Sequence, residues 1–295
     1  CLSEPYLPHA WPVEYRKTLE YDIVGIAPTS TGVVCMTKGT PYFVTGVDPS
    51  SMAAAKVPLL QPCINAVSIV DMGEYALYAG ADGLCKVGGG DAEVVTQGVI
   101  SPAQWLNSFK AATYKAYKHE DTYVAFWTNG AEYGGFVFDP RSAESAISTL
   151  TCSAEVRGGW TNPVDGKTYV IVGNKIQQFR GGATYRTAQW RSKKIVLPRP
   201  AGFSWLFVDA EDYPITAKVW CDEVLIAHYV LSLSGTTYTL TVTVPGSISA
   251  GAVGSRPLMR LPVAVGKVWE VEVSGTNVVN TVALAQSVEE LAGIS

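Results

Sequence analysis

Charge is scarce in this sequence, and so is any pattern that marks a catalytic centre. Lys, Arg, Asp and Glu make up 16% of the 295 residues, 22 basic against 26 acidic. Up to residue 186 the balance is 14 basic to 17 acidic, and from 187 onward 8 to 9. Neither part has the excess of cations that gripping nucleic-acid phosphates requires. A faintly acidic surface suits instead a path along which DNA slides without sticking. Long apolar runs are also missing: none is long enough to span a bilayer, and no signal peptide is expected. Only three histidines occur, His9, His119 and His228, and none sits in an H-x-x-x-H or H-E-x-x-H arrangement. The six cysteines (Cys1, Cys35, Cys63, Cys85, Cys152, Cys221) are scattered without a C-x-x-C pair. That excludes the usual zinc spacings and is read as small buried apolar residues in a protein assembled under reducing conditions. There is no G-x-S-x-G elbow, and "KVGGGD" at 86–91 lacks the G-K-[ST] of a phosphate loop.

Carboxylates give no acid/base pair of the kind a glycosidase needs. Asp209, Glu211 and Asp212 read as an acidic loop before a strand, Glu120-Asp121 and Asp165 as hairpin-turn residues. "DGKTY" at 165–169 is faintly like the turn of sialidase-type propellers, but it occurs once. No catalytic residue, metal site or cofactor is expected.

What is plentiful is turn formers and aromatics: 28 Gly, 17 Pro, 15 Tyr and 8 Trp, with 47% hydrophobic residues. This is the composition of a turn-rich all-β chain. In 22–46, "DIVGIAPTSTGVVCMTKGTPYFVTG", three short strands are separated by turns. In 67–98, "VSIVDMGEYALYAGADGLCKVGGGDAEVVTQG", the order returns at an offset of about 45 residues, with "FVTG" matched to "VVTQG". Residues 112–154 and 159–182 repeat it more loosely, the latter with Asp165-Gly166 and Gly173-Asn174 as turns. The spacing is that of propeller blades. One helix is expected from Ser101, as N-cap, through "PAQWLNSFKAATYKAY", with Trp105, Phe109 and Ala112 on one face.

After "RTAQWRSKKIVLPRP" the rhythm changes, which divides the chain into a propeller-like region of about four blade repeats, 1–186, and a second domain, 187–295. In the second, "TTYTLTVTV" (236–244) sets Tyr238, Leu240, Val242 and Val244 against Thr237, Thr239, Thr241 and Thr243. In "KVWEVEVS" (267–274), Trp269, Val271 and Val273 oppose Glu270 and Glu272. Alternation of period two in "PITAKVW" (214–220) and "VLIAHYVLSL" (224–233) completes the pattern of half-buried antiparallel strands, and so of a β-sandwich. The basic and aromatic residues of "YRTAQWRSKK" (185–194), chiefly Arg186, Trp190, Arg191, Lys193 and Lys194, read as a DNA contact, a subunit contact or a charge-protected edge strand.

Several phrases, "LSEPYLPHAWPVEYR" (2–16), "TKGTPYFVTGVDPSSM" (37–52), "AGADGLCKV" (79–87) and "VVTQGVISPAQW" (94–105), resemble tail nozzle proteins (tail tubular protein B) of short-tailed phages. The likeness runs through most of residues 1–195 and continues more weakly into 190–220 and 268–275. It implies a non-enzymatic virion tail protein, assembled in the host cytoplasm, whose copies form a homo-oligomeric ring, hexameric by resemblance. Its implied partners are the portal or adaptor above, tail fibres or spikes, and the genome ejected through the centre. Such proteins are usually much longer, and with a chain that opens on Cys1 rather than Met this implies a fragment of a longer polypeptide. Two other readings stay open: a carbohydrate-binding or glycan-cleaving propeller, and a surface lipoprotein acylated at Cys1.

Overall fold

In a computed structural model the described residues are 3–4, 6–48, 51–89, 91–141, 147–242, 251–254 and 256–291. Cys1, Thr243 and Val244 lie outside them. The fold is all-β. Contacts divide the chain into two units, 1–181 and 182–295, a boundary five residues before the change of rhythm in the sequence.

The first unit is a succession of short up-and-down antiparallel sheets. Sheet 1 holds β1 (Ile23–Thr29), β2 (Gly32–Thr37), β3 (Tyr42–Thr45) and β4 (Ala53–Lys56). Sheet 2 holds β5 (Val70–Asp71), β6 (Ala76–Ala79), β7 (Leu84–Gly88) and β8 (Asp91–Val94). Sheet 3 holds β9 (Lys115–His119), β10 (Thr122–Thr128), β11 (Tyr133–Phe138) and β12 (Ile147–Thr151). Sheet 4 has three strands, β13 (Val156–Thr161), β14 (Thr168–Val172) and β15 (Lys175–Gln178). The opening strands begin 47, 45 and 41 residues apart, and it is they that approach one another from sheet to sheet, β1 to β5, β5 to β9, β9 to β13. The last strands face solvent, as in blades whose first strand lies innermost.

The sheets stack face to face because their strands carry apolar residues on both sides. Tyr78 and Cys85 of sheet 2 point to Ala27, Val34 and Met36 of sheet 1. Leu77, Ala79 and Leu84, on the opposite face of sheet 2, meet Tyr123, Phe136 and Phe138 of sheet 3. The other side of sheet 3, with Val124, Phe126 and Val137, meets Val156 and Val170 of sheet 4. Fully buried strands of this kind read as continuous apolar runs rather than as alternation.

Two expectations are corrected. "FVTG" ends the third strand of sheet 1, whereas "VVTQG" follows the fourth strand of sheet 2, so the two phrases are not equivalent. The fourth strand of sheet 1 is the exposed, featureless "AAAK". The helix is only α1 (Pro102–Ser108), because Lys110 adopts φ +50° and stops it. Ala112 therefore leaves the apolar face and is exposed, and Ala111 and Tyr114 are buried in its place. The start of α1 is as expected: Ser101 and Gln104 form a reciprocal capping box with Pro102 just inside. Ser101→Ala is expected to cost about 1 kcal/mol of stability, measurable by urea titration of the chain.

The second unit is a sandwich. One sheet contains β24 (Gly266–Gly275), on one side of which both β16 (Ala188–Arg191) and β17 (Ile195–Ala201) pair, and on the other side β19 (Ile215–Cys221), followed by β20 (Val224–Ser234), β21 (Thr237–Val242) and β22 (Gly251–Gly254). Against it lies β18 (Trp205–Ala210), flanked by β23 (Leu258–Arg260) and β25 (Val279–Ala285). Leu206, Val208, Ile215, Val219, Leu231 and Trp269 fill the space between them. The β19–β20 turn puts Asp222 and Glu223 at φ +47° and +68°, a left-handed pair without glycine. Asp222 compensates by accepting the backbone N–H groups of Lys267 (3.0 Å) and Val268 (2.8 Å).

Candidate functional site

The basic and aromatic stretch lies on β16, an edge strand, and in the segments beside it. Register against β24 sets Trp190 opposite Val273 and Arg191 opposite Glu272, so the two side chains leave opposite faces of the strand. They do not form one mixed surface. Trp190 and Tyr185 are exposed, as are Arg186 and Lys193 in the flanking turns.

Arg191 turns onto the outer face of the larger sheet. Its Nε donates to Glu270 Oε2 at 2.7 Å, its terminal nitrogen pairs with the same carboxylate, and the guanidinium carbon lies 4.2 Å from the centre of the Trp220 ring. Next to it Lys218 Nζ donates to Glu272 Oε1 at 2.9 Å. The register across β16, β24, β19 and β20 places Arg191, Glu272, Lys218 and His228 in one transverse row. Both glutamates are nearly buried, with side chains 9% and 6% exposed. Burial by itself would raise Glu272. Hydrogen bonds from Lys218 and Gln189, with the charges of Lys218 and Arg191, outweigh it and hold the carboxyl below the usual glutamate range. Strict alternation identifies two faces, but the cations that bury the second face come from strands far away in sequence. Lys194, in turn, donates to Glu223 at 2.6 Å. Arg191 and Lys194 are thus tied to carboxylates, which weakens their grip on phosphate.

The remaining candidates take structural positions. His119 is buried, with Nδ1 3.1 Å from Thr168 Oγ1 and its ring edge-on to Phe179, and burial lowers its pKa. Burial pushes the thiol of Cys63 up to about 11 and that of Cys85 up to about 12, so neither is a thiolate at neutral pH. Asp165 accepts from Lys167 N (3.0 Å) and Tyr169 Oη (3.0 Å), a turn role. Asp209 accepts from Asn280, and Asp212 from its neighbour Tyr213 N. A cleft of about 530 Å³ beside the start of α1 is lined by Gln61, Asp82, Gln97 and Gln104. Gln61 and Asp82 already bond each other there, at 2.6 Å. Among the described residues no cluster of His, Cys, Asp and Glu could hold a metal, and no helix is long and apolar enough to cross a membrane.

A feature missed in the sequence is a pair of uncovered sheet faces. On sheet 4, the side turned away from sheet 3 carries Trp160, Tyr169, Ile171 and Ile176. Trp160 stacks on Tyr169 with ring centres 5.4 Å apart, and Ile176 is 64% exposed. On sheet 1, the side turned away from sheet 2 is open only in part: Ile23 and Ile26 are 53% and 63% exposed and Val33 and Val44 half-buried, while Cys35 and Tyr42 on the same side are buried. The signal was present in "TYVIV" and "IVGIA", which are apolar on both faces like the strands of the buried sheets.

The class defined by these features is an all-β chain of blade-type sheets plus a sandwich. Comparison with known proteins adds no family: no family model matches the sequence, and no curated protein does. Two solved structures show remote likeness. One is PorZ, a surface component of the type-IX secretion system of Porphyromonas gingivalis, with a TM-score of 0.33, 11% identity, and coverage of 79% of this chain and 28% of that one. The other is the extracellular domain of the hybrid two-component system BT4673 of B. thetaiotaomicron, with a TM-score of 0.25, 8% identity, and coverage of 81% and 36%. The chain spans about a third or less of either structure, and at these scores neither likeness carries an argument.

Proposed function

We propose that this chain is a structural subunit of a bacteriophage tail, of the nozzle type, which assembles with other copies into a ring below the portal or adaptor. The genome leaves through the centre of that ring, and the chain acts by holding shape rather than by catalysis. The observation that carries this reading is the exposure of Trp160 and Ile176 on the outer side of sheet 4 and of Ile23 and Ile26 on that of sheet 1, in a unit whose other sheets are covered on both sides, since uncovered apolar patches mark surfaces of assembly. The phrases shared with nozzle proteins in residues 1–195 supply the setting. Neutralisation of Arg191 and Lys194 by Glu270 and Glu223 supports the edge near β16 as a contact with neighbouring protein, over which DNA passes without being gripped.

A second reading, a glycan-binding protein, is favoured by one observation: the Trp160–Tyr169 pair is a flat aromatic platform of the kind sugar rings stack on. The two part on composition of the particle. In virions purified from a culture carrying this gene and washed in high salt, quantitative mass spectrometry should find several copies of the chain per portal ring. Its absence from washed particles would sink the tail reading.

A further inference from the structure

The contact between sheets 3 and 4 contains an ionisable side chain of a kind the other two contacts lack. His119, the last residue of β9, is 7% exposed and points at sheet 4, with Nδ1 3.1 Å from Thr168 Oγ1. The hydroxyl of Thr168 donates to the carbonyl of Lys118 at 3.1 Å, and that of Thr161 donates to the same carbonyl. With its one proton committed there, Thr168 accepts from the ring, so neutral His119 carries its proton on Nδ1. Nε2 has no hydrogen-bond partner among the described residues, and a second proton would go to it.

Charged groups reach this ring from both sheets. After β15, sheet 4 brings Arg180, whose guanidinium lies over the Phe179 ring that meets His119 edge-on. Its strands β13 and β14 present the hydroxyls of Thr161 and Thr168 there. Sheet 3 brings Glu120 and Asp121 in the β9–β10 turn, Asp121 being paired with Arg141 at 3.1 Å, while Lys118 sends its ammonium to the carbonyl of Met72. Tyr117, two residues back on the same side of β9, has a phenol that burial pushes up. Burial, the largest influence, opposes a charge on His119; Glu120 favours one, Arg180 opposes it, and the net effect lowers the pKa.

We propose that His119 makes the contact of sheet 4 on sheet 3 acid-labile: charging the ring raises the fraction of chains in which sheet 4 has opened from the stack, while the contacts between sheets 1 and 2 and between sheets 2 and 3 stay closed. Sheet 4 has three strands and leaves Trp160 and Ile176 exposed on its outer side, whereas sheet 3 is also held by sheet 2. The other contacts hold no histidine, since His9 is exposed near the start of the chain and His228 belongs to the second unit. Their ionisable residues, Cys63, Cys85, Tyr78, Tyr114 and Tyr123, are all pushed upward by burial and stay neutral from about pH 5 to 7. A histidine held below its free value of about 6.5 leaves stability untouched at higher pH; below that value, protons taken up by the opened form draw the equilibrium toward opening. None of this depends on the tail reading.

Hydrogen exchange on the full chain, corrected for the pH dependence of free amides, tests the proposal between about pH 7.5 and 5.5. Residues 156–178 should lose protection several-fold over that range, with about tenfold as the ceiling at one unit below the free value, because a small sheet without its apolar cover does not keep its bonds. Protection of residues 23–45 and 76–87 should stay level. His119→Asn, whose amide nitrogen takes the place of Nδ1 against Thr168, should keep the contact and lose its pH dependence. The Lys115–Glu155 pair at the other end of the contact (3.0 Å) is present in both proteins, so the difference between them belongs to His119. Titration of the His119 ring by NMR in the unaltered chain needs no variant, and its midpoint should fall below about 6.5. A midpoint at or above that value would overturn the proposal. So would protection that is level across the range, that falls equally in sheets 1 and 2, or that falls as steeply in His119→Asn.

Discussion

Trp105→Ala is expected to cost the first unit about 3–5 kcal/mol, among the largest effects of any single substitution in the chain. Trp105 is fully buried on a helix of only seven residues, which has little stability of its own and is held by what this side chain packs on. The indole stacks on Phe109 (5.7 Å between centres) and meets Tyr114 (5.6 Å) and Phe136 (6.1 Å) edge-on or nearly so. Its Nε1 donates to the carbonyl of Gly80 at 2.9 Å, which ties α1 to the turn between β6 and β7. Alanine removes the apolar surface, leaves a cavity among rings that cannot all move inward, and orphans a buried carbonyl. Trp105→Phe separates these contributions, because it keeps most of the ring and loses the hydrogen bond; about 1–2 kcal/mol is expected. Tyr114→Phe is the contrasting case. Its hydroxyl is buried with no hydrogen-bond partner among the described residues, so removal should cost nothing or stabilise slightly. Urea titration of the full chain, with hydrogen exchange read over residues 66–138, distinguishes the three.

Lys218→Met is expected to reverse the pH dependence that Glu272 gives the second unit. In the native chain Glu272 is held below the unfolded glutamate value of about 4.3, so it contributes stability that is present above that value and is lost as pH falls through the lower folded one. Without Lys218 the burial of Glu272 is opposed only by Gln189 and the charge of Arg191, and its folded pKa should move above the unfolded value. The variant should then be weaker by about 1–2 kcal/mol at pH 7, a figure discounted from that of a fully buried pair because Lys218 is 30% exposed. The deficit should shrink as pH is lowered from 7 toward 4, because protonation removes the uncompensated charge. Replacing both residues, Lys218→Met with Glu272→Leu, should return stability close to that of the native chain. Thermal melts across that pH range check all three; a deficit that stayed the same at every pH would mean that Lys218 acts through its aliphatic stem alone.

The strands and turns were legible because their signals are local. Period-two alternation located β19, β20, β21 and β24, and Gly166 and Gly173, both at positive φ, mark turns that glycine makes easy. Ser101 and Pro102 likewise announced the start of α1. What was not legible depends on neighbours remote in sequence. β4 is an alanine run that becomes a strand only because β3 offers it an edge. The burial of Glu270 and Glu272 depends on Arg191 and Lys218, 79 and 54 residues away. The end of α1 depends on a left-handed lysine that propensity does not flag. The sequence singled out the stretch with Trp190 and Arg191, yet the opposite exits of these two side chains follow from a register with β24 that no local pattern specifies. The doubly apolar strands of sheets 1 and 4 were visible in the sequence, but not that their outer sides are partly open, because such a strand looks alike whether or not something covers it.

The measurement that tests the central claim most directly is a cryo-electron microscopy reconstruction of the tail in purified virions from a culture carrying this gene. The account predicts repeated copies of this chain, recognisable by its four blade-type sheets and sandwich, in a ring around the axis below the portal, with apolar sheet faces covered by neighbouring protein. A tail whose density is fully assigned to other chains, with this one found only outside the particle, would contradict it.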